Sequence, residues 1–414
     1  MKVLIVTYYW PPSGGGGVQR WLKFATNLNK LGCVTFAYTP SNPDVPILDP
    51  SLVQDIPEGT TILSQPIFEP SRVLKFLSSK TSSDRLGATG GVGKKSLLAK
   101  LSLWVRGNLF VPDARVGWVK PSVKYLNKWL GSNPVDVIIT TGPPHSMHLI
   151  GLGLKAKYPK LPWIADFRDP WSDMDYLQDF QMGKKARKKL IQMEKDVAGK
   201  ADRLIVTSRS AERKLLEGNT GISVFIPNGW DPEDYPKSQP TQANSDTIRL
   251  GHFGSLHGSR NAPGLWKAID DFKSQGNNVE LVFAGSVSPE IREELKEHNC
   301  VFMGGLPHKE AVSEMLKCDA LLLIHNDTDS ATRSTPGKLF EYIATSNPII
   351  SICRSKGDLA DMLDGFGLPH GTHTDVSAAL TMLQSFRDQQ AVDPAPYTRM
   401  KQAEKLLEVI RSTQ

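Results

Sequence analysis

Apolar runs of strand length alternate with helix-patterned segments along almost the whole chain, and this alternation stops once and then restarts, which leaves few architectures open. Strands covered by helices on both faces read as near-continuous apolar runs, because neither face meets water. Such runs lie around Val3 to Thr7, Val34 to Thr39, Val137 to Thr141, Trp163 to Phe167, Leu204 to Ser208 and Val224 to Ile226. Residues 228–247 are rich in Pro, Asn, Asp and Ser and nearly lack aliphatics, as a linker does. The pattern resumes around Ile248 to Phe253, Val279 to Ala284, Val301 to Met303, Ala320 to His325 and Ile349 to Cys353. The expectation is an α/β protein of two doubly wound Rossmann-like domains, 1–227 and 248–395, facing a central cleft. A length of 414 residues agrees, since single cores stop growing near roughly 250–300 residues. In 396–414, Met400, Ala403, Leu406, Leu407 and Ile410 recur at helical spacing, which predicts a helix packing back on the N-terminal domain.

The least regular stretch is an insertion at about 71–128. There Leu97, Leu98, Leu101, Trp104 and Val105, interspersed with Lys94, Lys95, Lys100 and Arg106, form a basic amphipathic pattern. It reads either as a helix lying on a membrane surface or as a surface helix packed on its own domain.

Composition narrows the function. The 49 Lys and Arg against 43 Asp and Glu leave a net charge of +6, which suits phosphorylated ligands or an anionic membrane surface and is too small to argue for nucleic acid. Cys33, Cys300, Cys318 and Cys353 are scattered, as reduced core thiols are, with no metal-site spacing. No apolar stretch approaches the ~18 residues of a membrane span, so a cytoplasmic protein is expected, with peripheral contact at the inner face of the cell membrane as its membrane reading.

Four motifs carry candidate chemistry. Gly14–Gly17 follows the first strand and opens a helix, where backbone N–H groups can approach anionic groups closely; as a dinucleotide fingerprint its spacing is wrong, and it reads as a substrate-contacting loop. Gly90–Ser96 (GGVGKKS) fails the P-loop spacing and has no strand before it. Asp166, Arg168, Asp169 and Trp171 lie at the carboxyl end of an apolar strand, where open α/β sheets bind ligands. They either grip sugar hydroxyls or phosphate, or brace the loop as a structural pair. His145, in the neighbouring Gly142–His145 loop, is an acid or base or a capping residue. The fourth joins Gly254, Ser255 and Arg260 to Thr335, Pro336, Gly337, Lys338 and Glu341. Thr335 suits an N-cap and Pro336 a first helical position, which places a lysine beside a helix start fit for pyrophosphate, with Glu341 one turn deeper for ribose hydroxyls. Its bland alternative is a capped surface helix with an ion pair three residues apart.

In series, PNGWD (227–231), GSLHGSRN (254–261), LVFAGS (281–286), FMGGLPHKE (302–310) and TPGKLFEYIATSNPII (335–350) resemble glycosyltransferase family 4, retaining enzymes of the GT-B fold, and DFRDPW and TTGPPHS look like a bacterial branch of it. The resemblance implies an enzyme moving a hexose from a nucleoside diphosphate sugar to a saccharide or lipid-linked saccharide hydroxyl in cell-surface polysaccharide or glycolipid synthesis, with no cofactor, metal or nucleic-acid partner. It places Glu341 on the ribose, Arg260 and Lys338 on the pyrophosphate, and Gly16 and Gly17 near the donor phosphates. Gly285 and Arg333 join the donor side; Gly15, His145, Asp166, Arg168 and Trp171 join the acceptor side. Asp166, Arg168, Asp169, Arg260 and Lys338 are the catalytic candidates. The sequence departs from the commoner pattern at Arg333, where a donor-sugar Glu is usual, at Ser255, often basic, and at Arg168, often His. Two rival readings are a non-catalytic nucleotide-sugar-binding protein and a nicotinamide-dependent oxidoreductase.

Overall fold

The computed structural model describes residues 1–45, 47–69, 97–169, 171–218, 221–236 and 246–414. The Gly90–Ser96 motif, Lys94, Lys95, Pro170 and residues 237–245 of the 228–247 linker lie outside them. The chain divides into two compact units, one built from residues up to Pro227 plus Arg399–Gln414, the other from Asn228–Thr398.

The first unit carries β1 (Lys2–Val6), α1 (Gly16–Lys30), β2 (Val34–Pro40), β3 (Thr60–Gln65), α2 (Leu97–Leu109), α3 (Val119–Leu130), β4 (Val137–Gly142), α4 (Ser146–Lys157), β5 (Trp163–Phe167), α5 (Lys184–Lys200), β6 (Arg203–Val206), α6 (Arg209–Leu216) and β7 (Ser223–Phe225). Its sheet is parallel throughout, in the order β3-β2-β1-β4-β5-β6-β7. Alternate strand residues sort into two cores, as a period of two requires. Leu4, Val6, Ile138 and Ala165 face one helical layer, and Val3, Ile5, Val137, Ile139 and Ile164 face the other.

The second unit carries β8 (Thr247–Phe253), α7 (Pro263–Ser274), β9 (Asn278–Ala284), α8 (Pro289–Glu294), β10 (Cys300–Gly304), α9 (His308–Leu316), β11 (Ala320–Ile324), α10 (Lys338–Thr345), β12 (Ile349–Ile352), α11 (Asp358–Phe366), β13 (His370–Gly371) and α12 (Val376–Ser385). The sheet order is β10-β9-β8-β11-β12-β13, again all parallel. The final helix, α13 (Arg399–Arg411), returns to the first unit, where Ala403, Leu406, Leu407, Val409 and Ile410 complete the core on the Val3 face.

All eleven expected strands form. Two were not legible. In β3 only Leu63 is buried, so this edge strand lacks an apolar run, and β13 is two residues long. Both sheets reverse strand order once, between β1 and β4 and between β8 and β11, and loops leaving the carboxyl ends at such a point form ligand crevices. No helix among the described residues is long and apolar enough to cross a membrane.

Candidate functional site

In the second unit, the residues singled out in the sequence converge at the β8/β11 switch point. The chain leaves β8 through Gly254, whose φ of +132° is natural only to glycine. A Cβ there would lie 2.6 Å from Lys338 Nζ, so the missing side chain is what admits the ammonium. Gly285, at φ +125° after β9, packs backbone on backbone beneath it, where a Cβ would meet the Gly254 oxygen at 2.3 Å. Gly254 N donates to Ala284 O at 2.6 Å and Gly285 N to Gly304 O at 2.6 Å, which holds this floor rigid.

Arg260 ends a short 3-10 turn, Gly258–Arg260, and is aimed by three bonds: Nε donates to Asn326 Oδ1 (2.6 Å), and Nη1 donates to Ser255 O (2.9 Å) and Oγ (3.0 Å). Lys338 Nζ is buried and has no hydrogen-bond partner among the described residues. Burial first, and then the Arg260 charge, push its pKa down to about 7, against a smaller upward pull from Glu341. Two imidazoles beneath the cations stay neutral. His252, buried, donates from Nδ1 to Leu322 O at 2.9 Å and is held well below its usual pKa by burial and by Lys338. Burial and Arg260 bring His325 down to about 4, and its Nε2 lies 3.1 Å from Ser334 Oγ. A buried ammonium without a partner is costly, and an anion arriving at the Lys338 ammonium would remove that cost.

The helix start differs from the expectation. α10 begins at Lys338 with Gly337 at its N-cap position and no side-chain cap; Thr335 Oγ1 is buried without a partner among the described residues, and Pro336 precedes the helix. Ser334 is extended, and the turn that follows closes through Leu339 N to Pro336 O (3.1 Å) and Phe340 N to Gly337 O (3.2 Å), so the helical register starts late. Arg333 ends the 3-10 turn Ser330–Arg333 that leads into this segment. Glu341 lies in the first turn of α10, half-buried, with Tyr235 Oη donating to its backbone oxygen at 2.8 Å. Asn326, His252, His325 and Tyr235 escaped the sequence reading, although the polar residues closing the buried runs of β8 and β11 were a usable signal.

In the first unit, the Asp166-to-Trp171 group separates into bracing residues and an open acid. Asp166 is fully buried and its carboxylate is used up: it pairs with Arg20 (3.2 Å) and accepts from Trp21 Nε1 (2.7 Å) and Thr141 Oγ1 (2.9 Å). Arg20 in turn donates to the oxygens of Ile226 and Pro227, both at 2.9 Å. Asp166 thus knits β5 to α1 and to the end of β7 and is not placed to touch a ligand. Arg168 is a clasp. Its Nε donates to Gly142 O (3.0 Å), Nη2 to Pro143 O (2.7 Å) and Nη1 to Gly17 O (3.1 Å). A Cβ on Gly17 would stand 2.8 Å from Nη1, which explains the glycine there, while Gly15 turns the chain at φ +92° and Gly16 begins α1. For both residues the bracing alternative fits the contacts better than gripping a substrate.

Asp169 makes no hydrogen bond among the described residues, and burial raises its pKa against the lowering pull of Arg168. His145 is buried and stacks on Trp171, itself buried, with centroids 4.9 Å apart and planes 6° apart. Among the described residues neither of its ring nitrogens has a partner, and burial followed by His148 holds it well below the usual histidine pKa, so it is neutral at pH 7. It does not cap α4: Asp113 does, accepting from Ser146 N and Oγ, both at 2.8 Å. Among the described residues, no three His, Cys, Asp or Glu side chains gather to hold a metal ion.

No protein-family model matches the chain, and no curated protein matches it in sequence. Solved structures match it in fold. Sucrose-phosphate synthase from Thermosynechococcus elongatus is 14% identical with a TM-score of 0.59, over 99% of this chain and 94% of that one. HepE from Anabaena, in complex with UDP and glucose, is 13% identical with a TM-score of 0.62 over the whole of both chains. The N-terminal domain of Candida albicans trehalose-6-phosphate phosphatase is 12% identical with a TM-score of 0.62, over 100% of this chain and 97% of that one. At these identities the likeness is one of fold: the chain has the GT-B fold, with its two parallel-sheet α/β units.

Proposed function

We infer that this chain is a retaining glycosyltransferase, similar to family 4, that transfers a hexose from a nucleoside diphosphate sugar to a hydroxyl acceptor. The observation that carries the reading is the buried Lys338 ammonium, without a hydrogen-bond partner beside Arg260, at a topological switch point. Two cations aimed at one place suit a diphosphate, and complexes of the HepE neighbour hold UDP or UDP-glucose. In this reading Arg260 and Lys338 bind the diphosphate, Glu341 takes the ribose hydroxyls, and the Gly254–Gly285 floor lets the ligand approach the backbone.

Transfer breaks the bond from the anomeric carbon to the diphosphate oxygen and makes one to the acceptor oxygen. Negative charge grows on the leaving diphosphate, and fixed cations lower that barrier by several kcal/mol. The acceptor proton passes to a leaving-phosphate oxygen, as the family resemblance implies. On the first unit Asp169 is the acid that orients the acceptor, on a loop held by Arg168 and Asp166.

Calorimetric titration with UDP-glucose, paired with an assay of released UDP, tests the reading. Glu341→Ala should weaken donor binding about tenfold or more, the loss of a charged hydrogen-bonding group. Asp169→Ala should leave binding intact and lower transfer. Equal donor affinity in wild type and Glu341→Ala would remove the ribose assignment.

A further inference from the structure

α2 packs on its unit by one side only. Gly107 is buried, and a Cβ there would stand 2.5 Å from Phe180 Cβ; the Arg106 guanidinium covers the Phe180 ring at 4.9 Å. Its outer side leaves Leu101 57%, Trp104 44% and Leu109 64% exposed, more apolar surface than a helix packed for stability alone need show. Asn108 stitches the end of α2 to the start of α5, accepting from Gly183 N (2.7 Å) and donating to Gln181 O (3.3 Å). The first turns of α5 then present Lys184, Lys185, Arg187, Lys188 and Lys189, all exposed. No acid occurs in 97–112 or in 180–193; the flanking acids in sequence are half-buried Asp113, exposed Asp179 and half-buried Glu194. A helix linking parallel strands runs back along the sheet, so this basic end of α5 lies at the carboxyl edge of the first sheet, the edge that carries Asp169 and the glycine loop.

Exposed leucine and tryptophan bordering a cationic helix start match the boundary of an anionic bilayer, where apolar side chains enter the acyl region and lysines meet headgroup phosphates. We propose that the α2 face and the start of α5 form a docking surface for an anionic lipid bilayer, which sets the carboxyl edge of the first unit against the membrane. The surface stands independently of the donor chemistry.

Co-sedimentation of the full chain with phosphatidylcholine vesicles, with and without about one third phosphatidylglycerol, tests this. The protein should partition at least about tenfold better onto the anionic vesicles, and raising salt to about 0.5 M should release it. The combined Lys184→Glu, Lys185→Glu and Lys188→Glu variant should lose that preference, and Trp104→Ser should weaken binding with charge unchanged. These are exposed positions, and an unchanged melting temperature verifies that both variants are folded. Absence of anionic preference, or unchanged partition in either variant, overturns the proposal. Concentration-dependent dimerisation abolished by Trp104→Ser, without vesicle binding, would assign the apolar face to a second copy instead.

Discussion

If the donor diphosphate docks at Lys338 as proposed, its binding is a proton-linked event. In the free protein its pKa lies at about 7, chiefly because burial penalises the ammonium. A bound pyrophosphate restores the charged form, so above pH 7 binding must take up a proton. The dissociation constant for UDP-glucose, whose phosphates do not titrate near neutrality, should be flat below about pH 6.5 and rise roughly tenfold per pH unit above about 7.5, each unit corresponding to about 1.4 kcal/mol. Calorimetry at pH 8 in two buffers of different ionisation enthalpy should report uptake of nearly one proton. Lys338→Arg should bind with a flat profile, and Lys338→Met should bind weakly and without the slope. The unfolded chain, with the ordinary lysine value of 10.5, holds the proton that the native state releases between 7 and that value. Native stability should therefore rise with pH across that window, and Lys338→Met should remove the rise. A flat wild-type binding profile, or the same slope in Lys338→Met, would refute this account of the cation.

Three further outcomes follow from the geometry. Asp166→Asn removes the carboxylate charge paired with the buried Arg20 guanidinium and should cost about 3–5 kcal/mol in urea unfolding; a loss under 1 kcal/mol would mean that the pair is dispensable. Gly254→Ala sets a Cβ 2.6 Å from Lys338 Nζ at φ +132°, so it should destabilise by about 1–3 kcal/mol and abolish donor binding, which calorimetry reads directly. Ile410→Ala empties a fully buried position and should lower stability by about 2–5 kcal/mol, whereas its exposed neighbour Arg411→Ala should change little.

Much of this was legible in the chain itself. Buried parallel strands announce themselves as apolar runs, which is why β1, β5, β8 and β11 stand at or near their expected positions. The edges were not, because β3 and β13 bury too little to leave a pattern. The same limit applied to the sites. A motif shows which groups gather at a strand end, as Gly254, Arg260 and Lys338 do, but not which of them the protein needs for itself. Asp166 and Arg168 stand beside Asp169 in sequence, yet their bonds run to Arg20, Trp21, Thr141 and three backbone oxygens, partners up to 151 residues away. The local rule of an N-cap at Thr335 failed for a related reason: the extended Ser334 and the turn through Pro336 and Gly337 move the helix start to Lys338.

The return of α13 to the first unit fixes an order of events during synthesis. Residues Arg399–Arg411 supply part of the layer over Val3 and Ile5, so the earliest strands to leave the ribosome wait for the last helix to cover them. The second unit, contained within Asn228–Thr398, has its own residues complete sooner. A message truncated shortly before codon 399 would encode a finished second unit and a first sheet whose Val3 face is covered by α1 but still lacks the apolar side chains of α13.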